Sequence, residues 1–247
     1  MSELAGKRAL VTGASRGIGA AIAVMLAKRG ADVAITYGSS ADKAGNVVSE
    51  IERTGRKSLA IRADSADPEA VKRAVEETVA GLGGLDILVN NAGIARYASV
   101  GDDGSLADLD AMFNVNVRSA VVASGAAMQH LSEGGRIVMI GSFLAERVPF
   151  PGVTLYSTTK SALSAFSRGL ARDLGSRAIT VNLVQPGPTD TDLNPANGDH
   201  ADGLRALTAL GHYGEPGDIA SAVAFLVSPA AKFITGTVLN VDGGISA

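Results

Sequence analysis

Residues 8–19, RALVTGASRGIG, run from a short strand-like segment into three glycines, Gly13, Gly17 and Gly19, and an Ala-rich stretch of helical period follows. A strand that ends in a glycine turn and feeds a helix is the opening unit of a parallel βα fold. A turn without side chains lets the main chain approach a pyrophosphate, and the helix start directs free amides and a positive dipole end toward it. The spacing departs from the common GxGxxG, and such a turn alone is equally a tight connection. Its place directly after the first strand favours phosphate binding, which makes Gly13, Ser15, Arg16, Gly17, Ile18 and Gly19 candidate cofactor contacts.

Outward from this unit, short apolar runs alternate with segments of helical period. Strands are expected at 8–11, 32–36, 58–62, 86–89, 136–140, 180–184 and 238–241. Helices are expected at 18–29, 41–54, 68–82, 106–131, 154–174 and 216–227. Pro68 and Pro216 stand where a first helical turn needs no amide donor, and Gly30 and Gly55 follow helix ends. Gly125 and Gly169 fall inside helices, where close helix packing is the expected reason. The alternation predicts one α/β domain over residues 1–247, a doubly wound seven-stranded parallel sheet with helices on both faces. Gln185 to Tyr213 has no clear period and holds Pro186, Pro188 and Pro195, so residues 188–213 are expected to form a substrate lid.

The 247 residues carry a net charge of −3, which offers no general attraction to nucleic acid or to an anionic membrane. There is no cysteine, so disulfides and thiolate chemistry are excluded. The opening residues resemble neither a signal peptide nor a membrane span, and the cytoplasm is the expected compartment. His130, His200 and His212 lack a second ligand at helical spacing, and no metal site is expected.

Enzymes that use NAD place an acid at the end of the second strand to bind ribose hydroxyls, and an acid there repels a ribose phosphate. The sequence here is ITYGSSADK, with no carboxylate at Tyr37 or Gly38. Arg16, Ser39 and Ser40 offer charge and donors to a 2′-phosphate, and Lys43 is either a further cation there or a solvated helix residue. NADP(H) is therefore the expected cofactor. Asp64 and Ser65 follow the third strand, where the adenine should rest, although Ser65 is equally a polar turn before a helix. In NNAG, residues 90–93, Asn91, Ala92 and Gly93 permit close main-chain approach, and Asn90 is expected to be structural.

Tyr156-Ser-Thr-Thr-Lys160 lies on a predicted helix, and positions four apart share a face. A nearby ammonium favours the phenolate of Tyr156 and brings the phenol closer to acid–base work. Ser142 ends the fifth strand and Asn116 lies in the preceding helix, both placed to face the strand carboxyl ends. Taken singly, Ser142 is as well a turn donor and Asn116 a packing amide.

TGASRGIG, NNAG, the Asn116 segment, Ser142, Tyr156-x3-Lys160, Pro186-Gly187 and the terminal VDGG, in this order, resemble the short-chain dehydrogenase/reductase family, and most of all its bacterial ketoreductases, the 3-oxoacyl-(acyl carrier protein) reductase type included. The resemblance implies a Rossmann-like fold, a catalytic set of Asn116, Ser142, Tyr156 and Lys160, and a homotetramer, or a homodimer as the smaller assembly. It implies that Ser142 and Tyr156 polarise a ketone, that Lys160 binds the nicotinamide ribose and lowers the Tyr156 pKa, and that Asn116 holds a water. Pro186, Gly187, Thr189 and Thr191 match positions that anchor the nicotinamide carboxamide. The expected partner is a small carbonyl or alcohol substrate.

The stretch VQPGPTDTDLNPANG is similar to a subgroup of cyclic-di-GMP-binding biofilm dispersal mediators, so a nucleotide-binding regulator is the alternative function. Reduction of a carrier-bound ketoacyl chain is disfavoured, because Gln129 to Gly135 carries no Lys or Arg to meet an acidic carrier. In the lid, Leu193, Leu204, Leu207 and Leu210 with Asp199, His200 and Asp202 suggest an apolar pocket with a polar rim.

Overall fold

The structure, a computed structural model, describes residues 2–247. Strands β1 (Arg8–Val11), β2 (Asp32–Tyr37), β3 (Ser58–Arg62), β4 (Leu85–Asn90), β5 (Leu131–Ile140), β6 (Thr180–Pro186) and β7 (Val238–Val241) form one sheet. Their order is β3-β2-β1-β4-β5-β6-β7, and every pairing is parallel. The direction of winding reverses between β1 and β4, which opens a crevice at the carboxyl ends of those strands.

Side chains alternate across β1, so Ala9 and Val11 enter one core and Leu10 the other. The first core lies under α1 (Gly17–Lys28), α2 (Ala41–Glu52) and α8 (Pro216–Val227). The second lies under α3 (Pro68–Leu82), α5 (Ser119–Ala127) and α6 (Thr154–Leu174). With helices on both faces, β4 and β6 are buried at every residue. Helix ends follow the sequence signals. The Asp67 side chain accepts from the Glu69 amide at 2.9 Å ahead of α3, and Glu215 and Asp218 form a capping box at α8.

Four expectations need correction. The helix expected over 106–131 is α4 (Ser105–Met112), a π-helical turn (Phe113–Arg118) and then α5. The wider turn accommodates an inward amide at Asn116. β5 starts at Leu131 rather than Arg136, because the buried Leu131 pairs with Leu85 and the register then shifts before Ile87. Within the segment thought aperiodic, α7 (Ala201–Leu207) is a seven-residue helix, too short to show a period. Its Leu204 and Leu207 pack on a small cluster of Phe143, Leu144, Val153 and Ile245 above the crevice. Finally, a Cβ added at Gly125 or Gly169 would meet nothing, so close packing within this chain is not their reason.

Ala178, after the short 3₁₀ turn that follows α6, has φ 52° and is the one non-glycine with positive φ among the described residues. That conformation costs an L-residue about 1–2 kcal/mol, part of which glycine returns to the flexibility of its unfolded chain. Ala178→Gly is expected to raise unfolding free energy by about 0.5–1 kcal/mol. A urea midpoint at or below that of the unchanged protein contradicts this.

Candidate active site

The chain leaving β1 folds back between β2 and β4. Thr36 Oγ1 accepts from the Gly13 amide at 2.9 Å, and the Ala14 amide donates to the Thr36 carbonyl at 2.9 Å. From the other side, Thr12 Oγ1 accepts from the amides of Asn91 and Ala92, each at 3.0 Å. Asn91 Nδ2 donates to the carbonyls of Thr12 and Gly13 at 2.9 and 3.0 Å. A Cβ at Gly13, whose φ is +62°, would stand 2.8 Å from Ala92 Cα, and one at Gly19 would stand 2.4 Å from Asn91 Nδ2. Both glycines are demanded by close approach.

Arg16 occupies the N-cap of α1, where its side chain has no acceptor, and the first turn holds no acid. The orphan amides of α1 therefore open onto the crevice with their positive dipole end uncompensated. Ser40 stands at the N-cap of α2 without capping it, which leaves its hydroxyl free.

The crevice is a cleft of about 570 Å³. It is lined by Gly13, Ser15, Arg16, Gly17, Ile18 and Gly19, by Tyr37, Ser39 and Ser40, and by Asp64 and Ser65. Asn91, Ala92 and Gly93 follow along its floor, with Pro186, Gly187, Thr189 and Thr191 opposite. Gly187 allows the main chain to pass Asp242, whose Cα would be 2.5 Å from an added Cβ. Asn90 lies outside, its Nδ2 donating to Ser124 Oγ at 3.1 Å. Lys43 lies beside the cleft, paired with Asp192 at 2.6 Å. Of the lid leucines, Leu193 and Leu204 line the cleft, Leu193 being largely exposed there, and Leu210 is exposed away from it.

Ser142, Tyr156 and Lys160 meet at the other end. Helix α6 sets Lys160 one turn after Tyr156, with its Nζ 5.9 Å from the phenol ring centroid and donating to the Ile140 carbonyl at 3.1 Å. Ser142 leads out of β5, where its Oγ accepts from the Leu144 amide at 3.2 Å. Asn116 does not line the cleft. Its Oδ1 accepts from the Ile94 amide at 2.8 Å, and its Nδ2 donates to the Ile94 carbonyl at 2.9 Å and to Thr159 Oγ1 at 3.0 Å. A Cβ at Gly93 would lie 3.3 Å from Lys160 Nζ and 3.4 Å from Asn116 Oδ1, so both side chains crowd the space that a side chain there would need.

Burial pushes the Tyr156 phenol well above its usual range, Tyr97 adds to the shift, and a hydrogen bond with Ser142 partly offsets it. Burial also pushes Lys160 down to about 8. The lowering of Tyr156 expected from Lys160 does not appear here: burial dominates the shift, and the amine, 5.9 Å from the ring centroid, donates to the Ile140 carbonyl rather than to the phenol. The phenol stays protonated at neutral pH beside a second hydroxyl. Such a pair can hydrogen-bond a carbonyl oxygen and deliver a proton to it.

Four residues that shape the cleft carried no role in the sequence analysis. Tyr97 sets its ring edge-on to Tyr156, centroids 6.4 Å apart, Phe150 and Leu144 wall the same end, and Asp192 stands by the phosphate turn. Tyr97 follows NNAG at a strand carboxyl end, a position that carries a signal. Phe150 and Asp192 lie in loops with none.

The family model described as enoyl-(acyl carrier protein) reductase matches residues 13–246. The chain belongs to the short-chain dehydrogenase/reductase family. It is 43% identical over 247 residues, the whole of both chains, to the cyclic-di-GMP-binding biofilm dispersal mediator protein of Escherichia coli K12. It is 42% identical over 255 residues to a versicolorin reductase of Emericella nidulans, covering 98% of this chain and 96% of that one. A crystal structure of a Burkholderia cenocepacia short-chain dehydrogenase in complex with NADP is 59% identical with a TM-score of 0.97, covering 99% of this chain and 100% of that one.

Gly19→Ala must displace Asn91 from the carbonyls of Thr12 and Gly13. We expect a loss of about 1–3 kcal/mol in unfolding free energy, measured with denaturant. Unchanged stability would show that this close approach is not needed.

Proposed function

We propose that the protein is an NADP(H)-dependent carbonyl reductase that interconverts ketones and secondary alcohols. The observation that carries this proposal is a single cleft joining an uncapped glycine turn to a protonated Tyr156 beside Ser142 and Lys160. The residues present fit the dinucleotide: the first-turn amides of α1 suit the pyrophosphate, and Arg16, Ser39 and Ser40 suit a 2′-phosphate where β2 ends without an acid. Asp64 and Ser65 are proposed at the adenine, and Pro186, Gly187, Thr189 and Thr191 at the carboxamide. The bound cofactor supplies the hydride. Ser142 and Tyr156 hold the carbonyl oxygen, and Tyr156 Oη gives it the proton. Lys160 binds ribose and returns a proton to Tyr156, and Asn116 keeps the route from Lys160 to solvent through the Ile94 main chain.

Tyr97, Leu144, Phe150, Leu193 and Leu204 favour a bulky, ring-bearing ketone, and residues 188–213 are proposed to close over it. A carrier-bound acyl chain is not favoured, since the nearby Arg177 spends its guanidinium on the carbonyls of Met128 and Leu131. We also propose a homotetramer, or at least a homodimer, supported by the open Gly125 and Gly169 on α5 and α6 and by a fully exposed Phe233. Among the described residues no helix is long and apolar enough to cross a membrane, and work in the cytoplasm is proposed. The kinship with the dispersal mediator supports a second reading, cyclic-di-GMP binding in the same cleft. Calorimetry with cyclic-di-GMP, with and without NADPH, separates the two: tight binding alongside no ketone turnover favours the regulator.

Tyr156→Phe is expected to lower kcat about 10²–10⁴-fold while NADPH binding stays unchanged. Normal turnover by that variant would remove Tyr156 from the mechanism. Lys160 is a cation below about pH 8 and neutral above it. The value of kcat/KM for NADPH should therefore fall as pH rises through that range. A level profile up to pH ~10 would mean that the ammonium is not used.

A further inference from the structure

Arg16 and Lys43 come from the glycine turn and from α2, yet both point at one carboxylate from the opposite side of the cleft. Asp192 Oδ2 lies 2.6 Å from Lys43 Nζ and 3.8 Å from Arg16 Nη1. Among the described residues neither cation has another acidic partner within salt-bridge distance. The carboxylate is placed by its own loop. Thr191 and Asn194 close a tight turn, with the Asn194 amide donating to the Thr191 carbonyl at 3.0 Å, and Asp192 sits at its tip. Tyr213 Oη donates to Asn194 Oδ1 at 3.3 Å, the Ala196 amide donates to Asp190 Oδ1 at 2.9 Å, and Thr191 rests against Gly17.

We infer that Asp192 is an internal counter-anion of the 2′-phosphate subsite: it holds the cations that the phosphate of NADP(H) takes, and so sets the preference between phosphorylated and unphosphorylated dinucleotide. The inference rests on the NADP(H) assignment above. The three side chains are about half exposed, at 48%, 50% and 56%, so solvent screens the pair and it is easily displaced. Lys43 holds the Asp192 carboxyl below its usual range, so it is charged at neutral pH. A phosphate monoester carries about −1.5 to −2 at pH 7 and outcompetes a single carboxylate for two cations. A dinucleotide without that phosphate leaves Lys43 and Arg16 to Asp192. Choice of cofactor is thereby coupled to the segment at 190–198, which is released from α2 only by the phosphorylated form.

The test is direct binding, by calorimetry or nucleotide fluorescence, with NADPH and NADH as probes. In Asp192→Asn the Kd for NADPH should fall about 3–10-fold at low ionic strength, while that for NADH moves less than about 2-fold; the difference should fade at 0.5 M salt. Asp192→Glu, which keeps the charge, should behave as the unchanged protein. Hydrogen exchange at residues 192–196 should be faster in the NADPH complex than in the NADH complex, since Thr191 is held alike in both, and in Asp192→Asn the two complexes should not differ. Unchanged or weaker NADPH binding by Asp192→Asn overturns the inference, since Asp192 would then orient the cations rather than compete for them. If the unchanged protein binds NADH as well as NADPH, it is the NADP(H) assignment that fails.

Discussion

The contact on which the rest of the molecule depends is the close passage of the glycine turn over residues 91–93. Thr12, Gly13 and Gly19 on one strand-to-helix connection meet Asn91 and Ala92 on another, with no volume left for a side chain at Gly13 or Gly19. Four hydrogen bonds join the two connections, so the reversal point between β1 and β4 is set by main-chain atoms, the Thr12 hydroxyl and the Asn91 side-chain amide. Polar groups partly withdrawn from water in this way are costly unless satisfied, and the Thr12 hydroxyl and the Asn91 Nδ2 both have partners. Because α1 starts directly after this contact, the direction of its free amides follows from it.

The reacting end is tied to the same frame through Gly93. The position a Cβ of that residue would take is bordered by both the Lys160 amine and the Asn116 amide, which the π-helical turn directs inward to the Ile94 main chain. A regular α-helix through 113–118 would turn that position differently, and wider turns of this type recur at functional sites. Tyr156 and Lys160 are desolvated by the same packing in opposite senses: the phenol is held neutral and the amine is brought near pH 8. Each shift places a proton where carbonyl reduction needs one.

The loop from Pro188 to Tyr213 answers to both ends. Its Thr191 lies on the glycine turn, its Leu193 and Leu204 line the cleft, and its Asp192 reaches Lys43 and Arg16 at the glycine-turn end. The small apolar cluster of Phe143, Leu144, Val153 and Ile245 supports α7 from below, so the loop is seated on the chain terminus as well as on the site.

Local sequence determined the seven strands, the helix starts at Pro68 and Pro216, the glycine turn, the missing acid after β2 and the Tyr156–Lys160 pair, because each depends on residue type and short spacing. All of the cofactor positions picked from sequence line one cleft. What only tertiary structure decided are features made by residues distant in the chain. The break of the long helix at 113–118 serves an amide bonded 22 residues back, and the early start of β5 serves a pairing with Leu85. The commitment of Lys43 to Asp192 joins residues 149 apart, and the protonated state of Tyr156 follows from burial. No window of local sequence contains those partners. Hydrophobic period and turn chemistry report what a segment favours alone, whereas desolvation and charge pairing depend on what the fold brings to it.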